Sequence, residues 1–266
     1  MAPIAEVRAE VLDSEDLINV IVRVVDADGA EGLGETWWGI ADAVEPARAG
    51  RPMASIVNDV LGPRTIGQES SDIAGIWFDL VHWASRYGDQ GILLMGVSGI
   101  DLALWDLASK SSGRTVCDLL GGPKHQSLPA YASLPWLRSV DLVLTESRRA
   151  IEAGFQAVKL HEVDPSMARA VRAEFGPDLA IMVDVNGHFD VDEAIEHATV
   201  LDEIGVLWFE EPVSPMRDHG VIAQVGNNMG LVLAAGENEY TKGDFERLLV
   251  PNPATKAPQR PYPASR

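Results

Sequence analysis

The chain has 266 residues, 46% of them hydrophobic and 23% charged, enough apolar material for a sizeable core, which excludes wholesale disorder. Its 21 Lys and Arg face 40 Asp and Glu, a net charge of −19, which argues against a general affinity for nucleic acid or for anionic membranes, since both are bound through basic side chains. The single cysteine, Cys117, excludes an internal disulfide framework and fits a reducing cytoplasm. No uninterrupted apolar run reaches the roughly 18 residues of a membrane span, and no basic stretch precedes an apolar core at the N-terminus, so no signal peptide is expected.

The first 36 residues read as a strand meander. LINVIVRVV (17–25) is rich in Val and Ile, DADG (26–29) is a turn signal, and 31–36 is the returning strand. After the adjacent Trp37 and Trp38 the character becomes helical. Residues 70–84 fit a helix capped by Ser70 or Ser71. Residues 97–111 fit another, with Ile100, Leu104, Leu107 and Ala108 at helical spacing. Cys117 falls in an apolar run and is expected in the core. Gly121-Gly122-Pro123 closes this region, so residues 1–122 read as a small α+β domain.

From Leu128 the pattern alternates strand and helix. Apolar runs at 128–134, 157–161, 179–185, 206–210 and 231–237 are separated by amphipathic segments at 140–153, 166–175, 191–204 and 221–229. Thr241 then caps a helix running to 250. This alternation implies right-handed βαβ units and a parallel sheet over residues 123–250. Residues 251–266 (PNPATKAPQRPYPASR) hold five of the 16 prolines and no Leu, Ile, Val or Phe; they read as a Pro-rich irregular tail.

The chemistry falls at the ends of these runs. Lys159 and His161 close the second, Asp184 the third, Glu210 and Glu211 the fourth, and Glu237 the fifth. The step from 159 to 184, to 210 and to 237 is close to 26 residues throughout, about one βα unit. Parallel strands point the same way, so these groups emerge at the carboxyl edge of one sheet, where barrels of such units keep their active sites. Three carboxylates meeting there need a counter-charge, and Mg²⁺ is suited to a few carboxylate oxygens. Lys159 and His161, two apart on a strand, share a face. Beside a dication and desolvated, Lys159 is expected to have a lowered pKa and to act as a base on a proton next to a carboxylate. Of Glu210 and Glu211 only one needs to be a ligand, the other capping the following helix. His161 is either a second base or a group that orients the substrate. His82, His125, His188, His197 and His219 lack this phase and read as surface or locally hydrogen-bonded groups. Trp37 and Trp38 cannot both be buried in one small core, which leaves a loop role over a substrate open to them.

On GVSGIDLALWDLASKSSGRTVCDLLGG (96–122), VKLHE (158–162), VDVNG (183–187), WFEEP (208–212) and AGEN (235–238), the chain resembles the mandelate racemase/muconate-lactonising branch of the enolase superfamily. The resemblance implies an α/β fold: an N-terminal α+β capping domain followed by an enolase-type (β/α) barrel. It implies Mg²⁺ held by Asp184, Glu210 and Glu237. The family's Lys-x-Lys base motif falls on Lys159 and His161, which leaves Lys159 as the base. Trp37, Trp38, Asn186 and Asn238 are the expected substrate contacts. The implied activity is that of a lyase or isomerase taking the α-proton of a small-molecule carboxylate through a metal-stabilised ene-diolate, foremost a sugar-acid dehydratase, with racemase, epimerase or cycloisomerase as alternatives. Such relatives often form homo-oligomers. The next functional residue would fall near 263, inside the tail, so the pattern predicts an incomplete barrel of about five of eight strands, a truncated or frameshifted member, with a non-catalytic fragment as a further alternative.

Overall fold

A computed structural model of the chain describes residues 2–14, 17–37, 49–88 and 90–249. The chain divides into two compact units, Met1–Gln126 and Ser127–Arg266.

In the first unit β1 (Ile4–Ser14), β2 (Leu17–Asp26) and β3 (Glu31–Thr36) form an antiparallel meander in the order β1-β2-β3. Asp26 closes the β2–β3 turn: its carboxylate accepts from the amides of Asp28 and Ala30. Four helical segments follow: α1 (Arg51–Ser55), which runs on through wider and tighter turns to Arg64, α2 (Ile73–Ala84), α3 (Ile92–Ser112) and α4 (Val116–Leu119). The cap of α2 is Asp72, whose Oδ1 accepts from the amide of Gly75 at 3.0 Å. Neither Ser70 nor Ser71 serves, because the helix starts at Ile73, three residues later than the apolar spacing indicates. Helix α3 begins five residues earlier than expected, at Ile92. It has the length and hydropathy of a membrane span, with a mean hydropathy of 1.5 over 18 residues, yet half of that stretch is buried within the protein. Its Val97, Ile100, Ala103, Leu104 and Leu107 join Val20, Val22, Val24 and Met53 in the unit's core. The approach is close: a Cβ on Gly32 or Gly34 of β3 would lie 2.0 Å from the carbonyl of Ala103 or 2.2 Å from that of Gly99. Cys117 is exposed rather than buried. It lies on α4, a single turn that buries none of its residues.

In the second unit β4 (Ala132–Ser133), β5 (Ala157–Leu160), β6 (Ala180–Asp184), β7 (Trp208–Glu210) and β8 (Val232–Ala234) form a parallel sheet in chain order. Helices α5 (Val140–Glu152), α6 (Pro165–Phe175), α7 (Val191–Ile204), α8 (His219–Asn228) and α9 (Lys242–Leu249) follow the five strands in turn. The strands are shorter than the apolar runs. Pro129 and Pro135 bracket β4 and cannot donate to a ladder; Gly236, at φ +136°, stands just beyond β8. Alternation sorts the side chains. Val158, Leu160, Ile181, Val183 and Phe209 share a core with Val143, Val171, Ala194, Leu201 and Val225 of the helices. Lys159, Met182, Asp184 and Glu210 alternate with these strand residues and so face the other way. On that face Tyr131, beside the edge strand β4, meets Trp208 of β7 edge-on at 5.6 Å between ring centroids, so the sheet curves strongly enough to bring its first and fourth strands together.

The expected sheet and capping unit are present, and five strands are compatible with an incomplete barrel. The tail at 251–266 and Trp38 lie outside the described residues.

Candidate active site

The strands β5 to β8 bring the functional groups to the carboxyl edge. Lys159 sits in the third position of β5, in register with Met182, and is buried, its side chain 8% exposed. Asp184 and Glu210 are the last residues of β6 and β7 and pair with one another in the ladder. Glu237 lies three residues beyond β8. The ammonium of Lys159 donates to Asp184 Oδ2 at 2.8 Å and to Glu210 Oε1 at 3.0 Å. His161 donates through Nδ1 to the carbonyl of Leu134, which turns Nε2 towards Asp184 Oδ2 at 3.4 Å. Carboxylate oxygens of Asp184, Glu210 and Glu237 lie within 4.8 Å of one another. Trp208 Nε1 donates to Glu210 Oε2 at 2.9 Å, so that carboxylate is held from both sides.

The electrostatics follow from this crowding. Burial works to lower the Lys159 pKa, but two hydrogen bonds and the charges of Asp184 and Glu210 outweigh it and hold the pKa above its ordinary value. Here the lysine itself neutralises the two acids, the position that the expected lowering assigns to a dication. The hydrogen bond to Asp184 likewise raises the His161 pKa, against the effect of burial. Asp184 is held below the usual carboxylate range; burial opposes this, but His161, Lys159 and the amide of Asn186 prevail. Glu211 moves the other way, up to about 7, through burial and the negative charge of Glu237, despite a hydrogen bond from Asn238.

Glu211 is the group the sequence pattern undervalues. It is 3% exposed, and no donor among the described residues reaches its Oε2. It does not cap α8; that cap is Asp218, which accepts from the amides of Gly220 and Val221. Glu211 has φ 43° and Asn186 has φ 44°, a left-handed backbone that Asn tolerates and Glu adopts at a cost. Both follow the final carboxylates of their strands closely and turn the chain there. Glu162 is buried, and its Oε1 accepts from the amides of Leu137 and Arg138 at 2.7 and 3.0 Å. It fixes the loop after β4. The only sequence signals for these two were an acid doubled before a proline and an acid following the Lys-x-His pair.

Of the expected substrate contacts, Asn186 donates to Glu237 Oε1 at 3.3 Å and Asn238 to Glu211 Oε1 at 2.9 Å. Both amides stand at the acid cluster and engage protein carboxylates. Trp37 is half-buried against the core of the first unit.

The acids fit a hard dication. The donor set is oxygen only, its members converge from three successive strands, and two of them already share one positive charge, that of Lys159.

Family models agree with this layout. Residues 12–121 match the N-terminal domain of mandelate racemase/muconate lactonizing enzyme, and residues 143–254 match the enolase C-terminal domain-like family. A mandelate racemase/muconate lactonizing protein from Paracoccus denitrificans, solved in complex with magnesium, superposes with a TM-score of 0.82 at 32% identity, covering 92% of this chain and 68% of that one. The chain belongs to the mandelate racemase/muconate lactonizing enzyme family of the enolase superfamily. Within this family the 3,6-anhydro-D-galactonate cycloisomerase of Zobellia galactanivorans has a TM-score of 0.83 at 29% identity, covering 93% of this chain and 69% of its own. D-galactarolactone cycloisomerase of Agrobacterium fabrum is 34% identical over 228 residues, 82% of this chain and 57% of that protein. Arabinonate dehydratase of Saccharolobus solfataricus is 27% identical over 241 residues, 86% and 61% respectively. The chain thus spans about three fifths of the length of these two relatives.

Proposed function

We propose that this family member is an Mg²⁺-dependent enzyme that removes the α-proton of a sugar acid, with dehydration as the foremost outcome. The observation that carries the reading is Lys159, buried at the carboxyl edge between Asp184 and Glu210, with His161 beside it. Asp184, Glu210 and Glu237 are the ligand set. Mg²⁺ held by them would offset their charge and the negative charge that develops on a substrate carboxylate. Lys159 takes the α-proton at Nζ, which requires that its present hold by the two carboxylates be relaxed. His161, fixed at Nδ1 by the Leu134 carbonyl, presents Nε2 on the same side and orients the substrate. Asn186 and Asn238 supply amide groups at the cluster, and Trp37 and Trp38 belong to the capping region that would select the substrate.

A cycloisomerase is the second reading, favoured by the 34% identity to D-galactarolactone cycloisomerase. A racemase or epimerase would need a second base opposite Lys159, and no such group stands among the residues of the cluster. The decisive experiment follows exchange of the α-proton with D₂O across a panel of sugar acids and sugar lactones, with and without Mg²⁺. Mg²⁺-dependent exchange that is lost in Lys159→Ala supports the reading. A folded chain that exchanges nothing is a non-catalytic member. The product of the active acid separates the outcomes, since dehydration yields a 2-keto acid and cycloisomerisation releases no water. The lone cysteine supports a cytoplasmic location.

A further inference from the structure

The three acids are not held alike. Asp184 and Glu210 end strands and are fixed by the ladder itself. Glu237 stands on a loop, beyond the last ladder residue Ala234 and directly after Gly236, whose φ of +136° is open to few other residues. Its position therefore rests on whatever fixes that loop.

Two side-chain links directly after Glu237 do so, one to the residue that follows β7 and one to the first residue of α8. Asn238 donates to Glu211 Oε1 at 2.9 Å. Glu239 Oε1 meets His219 Nε2 at 2.8 Å, with Glu239 only 2% exposed. Arg217, two residues before His219, lies 3.6 Å from Glu239 Oε2 and 2.9 Å from Asp244 Oδ1. An acid buried this deeply beside a histidine is costly unless the pairing is maintained, so the link resists loosening.

We propose that His219 and Glu239 are a positioning pair for Glu237. They touch no substrate and no cation. They hold the β8 loop against the β7 loop so that the Glu237 carboxylate reaches the oxygens of Asp184 and Glu210. The inference rests on the metal reading given above, and it assigns a task to a histidine outside the strand-end pattern.

The test is Mn²⁺ affinity of the full chain by electron paramagnetic resonance, with thermal melting in EDTA as the control for fold. His219→Ala should weaken Mn²⁺ binding about 10- to 100-fold, the usual loss when a group supporting a metal ligand is removed. Its far-UV spectrum should stay native. His219→Gln, which retains a donor, should recover part of the loss. Glu239→Gln keeps the volume but not the charge and should weaken binding as well; it decides the matter on the same criterion should His219→Ala fail to fold. Native-like affinity in a folded His219→Ala or, failing that, in Glu239→Gln overturns the positioning pair alone, whereas a native chain that binds no Mn²⁺ overturns it together with the metal reading.

Discussion

Glu211 is the most perturbed carboxyl of the cluster, and it bears on stability as well as on charge. Its folded pKa of about 7 lies above the ordinary 4.5. A carboxyl raised in this way binds its proton more tightly folded than unfolded, so stability falls as pH rises from about 4.5 towards 7 and levels off above. Glu211→Gln removes that ionisation while leaving an oxygen for Asn238. In EDTA the variant should melt above the native protein at pH 8, and the difference should vanish near pH 4.5; melting curves at the two values check this. A native chain equally stable at both would contradict it. Lys159 is shifted in the same direction for the opposite reason: neighbouring acids, Asp184 and Glu210, favour its charged form, so removing either acid should destabilise the cation-free protein by leaving a buried ammonium half-paired.

Among the elements, the β3–α3 contact is the tightest of the first unit. Gly34 sits in β3 where a Cβ would meet the carbonyl of Gly99 at 2.2 Å and the amide of Ala103 at 2.6 Å. Backbone cannot rotate away as a side chain can, so helix and strand must separate. Gly34→Ala is expected to cost about 1–3 kcal/mol, the range for overpacking, read as a lowered midpoint in urea unfolding. Gly29, in the exposed β2–β3 turn, has φ +83° and open space around it; Gly29→Ala should cost less, through φ alone. The helices of the second unit are more conventional. Asp164, Asp190 and Asp218 cap three of them. Helix α2 takes Asp72 as its cap in place of the two serines just before it.

The second unit's sheet is a run of five parallel strands in which β4 and β8 each have one partner among the described residues. Protection should follow from that. Amide exchange should be slowest in β5, β6 and β7, whose Val158, Ile181 and Phe209 are fully buried, and faster in β4 and β8. Exchange followed by mass spectrometry would reveal it, and equal protection across the five strands would mean that the edges are covered. The central strands also carry Lys159, Asp184 and Glu210, so three of the site's four principal groups sit on the best-supported part of the sheet. Glu237, the fourth, depends on loop contacts.

The strand–helix alternation, the 26-residue phase and the acids at run ends were set by local sequence, because a βα unit has a nearly constant length and a charge at a strand end survives only where it is solvated or paired. Those facts placed Lys159, His161, Asp184, Glu210 and Glu237 on one edge. Tertiary structure alone decided how they face one another. It brought a lysine between two acids, whose hydrogen bonds and charges hold its pKa above the ordinary value. It turned Asn238 towards Glu211, buried Glu211 beside Glu237, left Cys117 exposed on a single helical turn, and tied His219 to Glu239 across two loops. Each of these depends on groups 20 or more residues apart or on the depth of a packed core, and neither distance nor depth is encoded in local periodicity.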